Sequence, residues 1–260
     1  MASESAHVEL DGFRPVKSAD RTLDVLEALA GGPCTLSELS RRLNVPKSSL
    51  HGLLRTLTTR GWLQTAGGDT RFRLGLRAVR VATAFVDSDE VVARAAPVLD
   101  RLAGQTGETV QQGRLDGDDV IYLAKRDSPH PVRLISTIGS RLPAHATALG
   151  KALLAARDDE TVRALLRFPL AGLTAQTHTE WASLAADLAV VRRRGYAIDD
   201  CEATDGLRCF AVTIPGGETT DAVSISVPTF RLSESRETEL VAALLDAQAE
   251  LGRSPLHRTR

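Results

Sequence analysis

Two short amphipathic segments separated by a three-residue break constrain the N-terminal fold more than any other feature of the sequence. Thr35-Leu36-Ser37-Glu38 has the form of a capping box, which predicts the start of a helix. Asn44-Val45-Pro46 ends that helix, and Pro46 suits the first position of the next helix because it needs no N–H donor there. This third helix is predicted to run to residue 60, and a first helix is predicted over residues 18–30. The apolar positions of the first helix are Leu23, Leu26, Leu29 and Ala30. Three helices with a tight turn before the third predict a helix-turn-helix.

The segment after the third helix is predicted to form a hairpin. Strands over residues 62–64 and 70–74 flank a glycine-rich turn at residues 66–69. Because side chains alternate along a strand, Arg71 and Arg73 share one face while Phe72 and Leu74 share the other. The third helix has a similar division, since Leu50, Leu53, Leu54 and Leu57 form its buried stripe and its polar side chains face outward. Together these elements predict a winged helix-turn-helix.

Charge is concentrated in this region. The whole chain has a net charge of −1, but residues 41–80 contain nine lysines and arginines and one acidic residue, Asp69. Phosphate groups are the expected partner of such a cluster, which predicts binding to double-stranded operator DNA. The candidate DNA-contacting residues are Arg21, Lys47, Ser48, Ser49, His51, Arg55, Arg71 and Arg73. The alternatives are a solvated basic face without a partner, and a winged-helix module for protein contacts, which would not need so many outward arginines.

The rest of the chain predicts an α+β protein with a second domain. Residues 76–106 are predicted to be mainly helical, with a kink or restart at Pro97. Strands are expected at residues 109–114, 120–126, 133–135, 196–199, 208–214 and 222–227, and helices at residues 147–156, 160–166, 180–194 and 233–251. We expect a DNA-binding domain over residues 15–76, a linker helix over 77–90, a second domain over 91–252 and a disordered tail over 253–260.

Composition excludes several classes of protein. No window of the chain approaches 18 consecutive apolar residues, and the N-terminus lacks the pattern of a secretion signal, so we expect a cytoplasmic protein without a membrane partner. The three cysteines, Cys34, Cys201 and Cys209, form no C-x-x-C pair. A disulfide framework and a structural zinc site are therefore not expected, and we predict no metal and no cofactor.

The order of motifs resembles the IclR family of bacterial transcription regulators. The resemblance lies in residues 18–23, 36–39, 45–49 and 72–75 of the N-terminal half, and in residues 139–155, 194–200, 206–209 and 223–227 of the C-terminal half. It implies an N-terminal winged helix-turn-helix, a linker helix and a C-terminal GAF-like α/β effector-binding domain, assembled as a homodimer or a dimer of dimers. It further implies a regulator, by expectation a repressor, of catabolic genes that senses a small organic acid. The effector-binding residues that it implies are the backbone of Ala148 and Leu149 together with Asp199, Cys209, Ser224 and Ser226.

The chemistry of these residues is compatible with an effector pocket. Ser224 and Ser226 share one face of a predicted strand, which is either a solvated face or the wall of a pocket. Amides at the start of a helix near Ala148 and Leu149 can hold a carboxylate, and Asp199 then suits a hydroxyl or carbonyl at the far end of the ligand. This arrangement favours a small hydroxy-acid or oxo-acid. Members of the family that hold very small acids tend to have Gly and Ala at the two helix-start positions, so Leu149 is expected to reshape the pocket.

Enzymatic alternatives rest on His145 and Cys209. These two residues can be interpreted as the base and nucleophile of a small-molecule hydrolase, but no third orienting group accompanies them. Cys209, His145 and Asp199 do not have a recognised metal-ligand spacing. We therefore predict that the protein is not an enzyme, that His145 caps or packs, and that Cys34 and Cys201 have no role in the site.

Overall fold

The computed structural model of the chain describes residues 15–65, 70–134, 136–216 and 220–253. These residues form two compact units, which divide between Asp87 and Ser88. The architecture is α+β: a helix-turn-helix with a small sheet in the first unit, and a larger sheet covered by helices in the second. No helix in these ranges is both long enough and apolar enough to cross a membrane.

The first unit is a winged helix-turn-helix. Its elements are α1 (Lys17–Ala30), β1 (Cys34–Thr35), α2 (Leu36–Arg42), α3 (Lys47–Thr59), β2 (Leu63–Thr65), β3 (Arg71–Leu74) and α4 (Leu76–Ser88). The capping box forms as predicted, because the amide of Glu38 donates to Thr35 Oγ1 and the Glu38 carboxylate accepts from the amide of Thr35. The strands form an antiparallel sheet in the order β1-β3-β2. The core packs α1, α2 and α3 through Val25, Leu29, Leu39, Leu50 and Leu54.

Two sequence predictions for this unit are wrong in detail. Leu23 is 58% exposed and Ala30 is also exposed, because α1 buries Val25, Ala28 and Leu29 instead. Pro46 lies one residue before α3, with an extended backbone (φ −57°, ψ 139°), and the helix begins at Lys47. The predicted turn at residues 66–69 lies outside the described residues.

The second unit contains a six-stranded antiparallel sheet between two layers of helices. Its elements are α5 (Glu90–Thr106), β4 (Thr109–Asp116), β5 (Asp119–Arg126), β6 (Arg141–Pro143), α6 (Ala148–Ala155), α7 (Asp159–Leu165), α8 (Trp181–Arg194), β7 (Ala197–Asp200), β8 (Leu207–Thr213), β9 (Asp221–Pro228) and α9 (Glu234–Arg253). The strand order is β6-β5-β4-β9-β8-β7. The helices α5 and α9 pack together against the central strands, and α6, which packs on α8, also contacts the sheet.

Three further predictions are corrected by this unit. The helix break falls at Asp89, not at Pro97, because the Asp89 carboxylate caps α5 by accepting from the amides of Val91 and Val92, while α5 continues through Pro97. Residues 133 and 134 are not in a strand, residue 135 is not described, and the edge strand is β6 instead. Arg253, predicted to begin the tail, ends α9, and residues 254–260 lie outside the described residues.

Candidate effector cavity and DNA-binding surface

A small cavity lies between the start of α6 and the sheet of the second unit. About 30 Å³ of it is open to the centre of a water molecule, and about 330 Å³ lies outside protein atoms when its mouth is included. All six residues expected to bind an effector line it, namely Ala148, Leu149, Asp199, Cys209, Ser224 and Ser226. The inner part of the cavity has room for about two waters, and a larger molecule would also occupy its mouth.

Strand register places the polar lining in rows across the sheet. Asp199 on β7 pairs with Cys209 on β8, and Cys209 pairs with Ser226 on β9. Ser224 lies two residues before Ser226, on the same face, and pairs with Gln111 on β4. The hydroxyl of Ser226 donates to Gln111 Oε1 at 3.3 Å. The two serines are buried, so the face that carries them is not solvated.

The first turn of α6 forms another wall of the cavity. Thr147 caps the helix, because its hydroxyl accepts from the amide of Gly150 and its carbonyl accepts from the amide of Lys151. The helix geometry then leaves the amides of Ala148 and Leu149 without intrahelical acceptors. Helix N-termini of this kind attract anions. This wall can therefore hold one end of a carboxylate.

Two glycines allow α6 to lie where it does. A Cβ atom at Gly150 would lie 2.1 Å from the carbonyl oxygen of Ala144, so only glycine allows the helix to approach this backbone so closely. A Cβ at Gly113 on β4 would lie 3.0 Å from Leu149 Cδ1 and 2.5 Å from Val120 Cγ1. Leu149, which lines the cavity, therefore packs into the space above a glycine of the sheet.

Asp199 is the carboxylic acid of the polar row, and it is only 2% exposed. Burial raises its pKa to about 7, and the negative charge of Glu202 acts in the same direction. The hydrogen bonds from the amides of Glu202 and Ala203 to Asp199 Oδ1, at 2.7 and 3.2 Å, oppose this shift, as does the positive charge of Lys151. Asp199 is thus partly protonated at neutral pH, and its protonated form can donate a hydrogen bond.

A buried ion pair holds the loop that follows Asp199. Lys151 on α6 is 1% exposed, contacts the carboxylate of Glu202, and lies 2.8 Å from Asp187 Oδ2 on α8. The hydroxyl of Thr177 donates to the carbonyl of Glu202 at 2.7 Å. Since Ala203, next to Glu202, lines the cavity, these contacts fix one wall of the cavity relative to α6.

The arrangement does not support hydrolysis by Cys209. His145 is buried, its Nε2 lies 2.9 Å from the carbonyl oxygen of Ala171, and it does not line the cavity. Burial raises the pKa of the Cys209 thiol well above its usual value, which opposes formation of the nucleophilic thiolate. Among the described residues, no group of three or more histidine, cysteine or acidic side chains is placed to hold a metal ion.

The first unit carries the basic surface predicted for DNA. On α3 the predicted residues Lys47, Ser48, Ser49, His51 and Arg55 are all exposed, whereas Leu50, Leu54 and Leu57 are buried. Arg71 and Arg73 are exposed on β3, and Arg21 is half-buried on α1. Two arginines of this unit also make contacts within it. Arg42 donates to the carbonyl of Ala28 at 3.0 Å, and Arg71 lies 4.0 Å from the Glu38 carboxylate.

Comparison with known proteins identifies the family. Residues 83–253 match the profile of the C-terminal domain of the bacterial transcriptional regulator IclR, and residues 18–67 match the IclR helix-turn-helix domain. The chain belongs to the IclR family. The HTH-type transcriptional regulator BhcR of Paracoccus denitrificans is 37% identical to it over 240 residues, which cover 91% of this chain and 86% of BhcR. The transcriptional repressor IclR of Escherichia coli is 36% identical over 245 residues, which cover 91% and 89% of the two chains.

A solved structure supports the same assignment. The crystal structure of an IclR transcriptional regulator from Alicyclobacillus acidocaldarius matches with a TM-score of 0.82 and 26% identity, covering 92% of this chain and 98% of that one. The relatives of this chain are transcription regulators, and members of the IclR family are typically repressors of catabolic operons. The protein is therefore an IclR-family transcription regulator.

Sequence reasoning missed much of the cavity wall in this IclR-family protein. The additional lining residues are Gln111, Tyr122, Leu134, Leu142, Thr147, Ala203, Thr204 and Leu207. Gln111 had a usable signal, because it is a polar residue inside a predicted strand whose neighbour Val110 is apolar. The loop residues Ala203 and Thr204 had none, since their position depends on the buried Lys151–Glu202 pair.

Proposed function

We propose that this protein represses catabolic genes by binding operator DNA through its winged helix, and that a small hydroxy-acid or oxo-acid in the cavity of the second unit controls that binding. The observation that carries the proposal is the cavity itself. It combines the start of α6, two buried serine hydroxyls and a protonatable carboxyl group within one small space. These groups suit an acid that has a second oxygen function.

The chemistry of the cavity suggests an orientation for the ligand. The amides of Ala148 and Leu149 would donate to the carboxylate, because amides at a helix start lack intrahelical acceptors. Asp199 would meet the hydroxyl or carbonyl oxygen at the other end, and its protonated form would avoid repulsion of the ligand anion. The small volume favours the smallest acids, so glycolate, glyoxylate and pyruvate are suitable probes.

The DNA-binding surface divides into two roles. The exposed side chains at the start of α3, including Ser48, Ser49 and His51, would contact base edges in the major groove. Lys47 and Arg55 on the same helix would support these contacts, while Arg21 and the wing would hold phosphates. Basic side chains suit phosphates because that contact needs charge and little sequence information.

The exposed apolar side chains of α4 suggest an interface with a second copy of the chain. No residue of α4 is buried, and Leu76, Val79, Val81 and Phe85 are each at least half exposed. Exposed apolar side chains grouped on one helix are typical of a protein interface. Symmetric homodimers bind symmetric half-sites, so we propose that α4 packs on a second copy, giving a homodimer or a dimer of dimers. Sedimentation of wild type and Val79→Glu tests this, and an unchanged assembly state in the variant would contradict it.

One binding experiment tests the regulatory proposal. The full-length protein selects its preferred duplex from a random library, and fluorescence anisotropy then gives the dissociation constant with and without glycolate, glyoxylate or pyruvate. Benzoate serves as a bulky control acid and acetamide as an uncharged control. We expect at least one of the three small acids to weaken DNA binding about five- to 150-fold, the usual range of allosteric coupling. No effect of these acids would contradict the assignment of the ligand class, and failure to select any duplex would favour a protein-interaction module.

A further inference from the structure

A network of charged side chains joins the first residue before α5 to the central strands of the sheet. Arg114 on β4 donates to both carboxylate oxygens of Asp89, at 2.6 and 3.0 Å. The same guanidinium donates to both carboxylate oxygens of Asp221 on β9, at 2.7 and 3.1 Å. Gln112 Nε2 also donates to Asp221, at 3.0 Å. One arginine therefore bridges two strands and a helix cap.

The network is largely buried. The side chains of Arg114, Asp89 and Asp221 are 25%, 11% and 2% exposed. Burial by itself would raise the pKa of Asp89, but its bonds with Arg114 and with the amides of Val91 and Val92 hold it below its usual value. The hydrogen bond with Asp89 raises the pKa of Arg114. Loss of one partner would leave a charge largely enclosed by protein, which is why such pairs are hard to break.

The network and the cavity use the same two strands. Arg114 pairs with Asp221 across β4 and β9, and Gln111 pairs with Ser224 three residues away along the same strands. Three residues of strand span about 10 Å and reverse the side-chain face. The cavity therefore lies on one face of this strand pair and the Arg114 network on the other, next to the start of α5. A ligand that shifts β4 against β9 must also move the two partners of Arg114.

Asp89 is the second residue of the second unit. The preceding residue, Ser88, ends α4, and α4 continues directly from the winged helix through Gly75. The Asp89 carboxylate is held on one side by the amides at the start of α5 and on the other by Arg114.

We propose that Arg114 is the positioning residue that couples the cavity strands to the start of α5, and through Ser88 to the DNA-binding unit. Its role in effector response rests on the proposed function, because it assumes that the cavity binds the effector. Its role in fixing the start of α5 does not depend on any ligand. The two parts can therefore be tested separately.

The test uses the full-length chain, the duplex selected as above and three variants. Arg114→Gln removes the charge. Arg114→Lys keeps a positive charge but lacks the guanidinium that donates to both Asp89 and Asp221. Asp89→Asn removes the carboxylate while asparagine still caps α5. Arg141→Gln is the matched control, because it breaks ion pairs with Asp116 and Asp119 on the same sheet without reaching α5.

We expect Arg114→Gln and Asp89→Asn to change DNA affinity without ligand by about fivefold or more, with Arg114→Lys intermediate and Arg141→Gln as wild type. A merely structural role would lower the melting temperature and leave DNA affinity unchanged. If Arg114→Gln fails to fold, Asp89→Asn decides the test. Unchanged DNA affinity in folded Asp89→Asn overturns the proposal.

A second measurement addresses the effector response. With glyoxylate as the probe, the ratio of DNA dissociation constants with and without ligand should approach one in Asp89→Asn, while glyoxylate binding to the variant stays as in wild type. A wild-type ratio in this variant would contradict coupling through Arg114. If glyoxylate does not bind the wild-type protein, the proposed ligand class fails, and the ligand-free DNA affinities still decide the role of Arg114.

Discussion

Replacing Asp199 by asparagine should stabilise the protein in alkaline solution and leave it nearly unchanged in acid. The pKa of Asp199 is about 7 in the folded protein, against 3.8 for an ordinary aspartate. Between these two pH values the folded chain keeps a proton that the unfolded chain has released. The stability contributed by this group is therefore fully present below pH 3.8, and it is lost as the pH rises through 7.

The magnitude follows from the shift in pKa. About three pKa units, at about 1.4 kcal/mol each, correspond to about 4 kcal/mol of unfolding free energy. Asparagine has nearly the shape of protonated aspartate and can still accept from the amides of Glu202 and Ala203. The variant should therefore resemble wild type below about pH 4, exceed its stability by about 2 kcal/mol at pH 5, and exceed it by about 4 kcal/mol at pH 8. In a unit of this size, that difference raises the melting temperature by on the order of 10 °C.

The assay is thermal unfolding of both proteins at pH 5 and pH 8, monitored by circular dichroism. Only the difference between variant and wild type at each pH is used, because other groups also titrate in this range. Asp200→Asn is the matched control, since Asp200 is adjacent on β7 but its side chain is 62% exposed. Equal destabilisation of Asp199→Asn at both pH values would refute the reasoning, because it would show that Asp199 is ionised throughout.

Three other changes test the DNA surface, the cavity and the packing of α6. Arg73→Ala should weaken binding to all duplexes about equally and reduce the slope of log K against log salt by about one, measured by fluorescence anisotropy at several salt concentrations; loss confined to one sequence would contradict a phosphate contact. Ser226→Ala should lower the affinity of a bound small acid about two- to tenfold, the value of one neutral hydrogen bond, without changing DNA affinity in its absence; calorimetry measures the first and anisotropy the second. Gly150→Ala should destabilise the protein by at least about 1–3 kcal/mol because its methyl group would meet the carbonyl of Ala144, whereas Gly104→Ala, with open space around its Cβ position, should not; a Gly150→Ala melting temperature equal to wild type would contradict the close packing.

The N-terminal unit was the most predictable part of the fold because its signals are local. The Thr35–Glu38 capping box needs only four consecutive residues, and it forms in the structure. The leucine stripe of α3 and the alternation of Arg71 and Arg73 on β3 also follow from short-range periodicity. These patterns decide which face of an element is apolar, and in a three-helix unit the apolar face has only one place to pack.

The errors occurred where a distant partner decides the outcome. Leu23 fits a helical stripe as well as Val25 does, and only the packing of α2 and α3 determines which of them is buried. Pro97 was the obvious helix breaker, but the break lies at Asp89, whose carboxylate is held by an arginine 25 residues away. Local patterns contain no information about such partners.

The residues of the cavity were also predictable only in part from the sequence. The sequence alone determined that Ser224 and Ser226 share a strand face, and the resemblance to a known family indicated Asp199 and Cys209. Only the tertiary structure aligned them, because the register of three strands places Asp199, Cys209 and Ser226 in one row. The packing of the cavity wall also depends on contacts that no sequence window includes, such as Leu149 above Gly113. The protonation of Asp199 depends on how completely the surrounding elements exclude water, and burial is a property of the assembled layers, not of any segment.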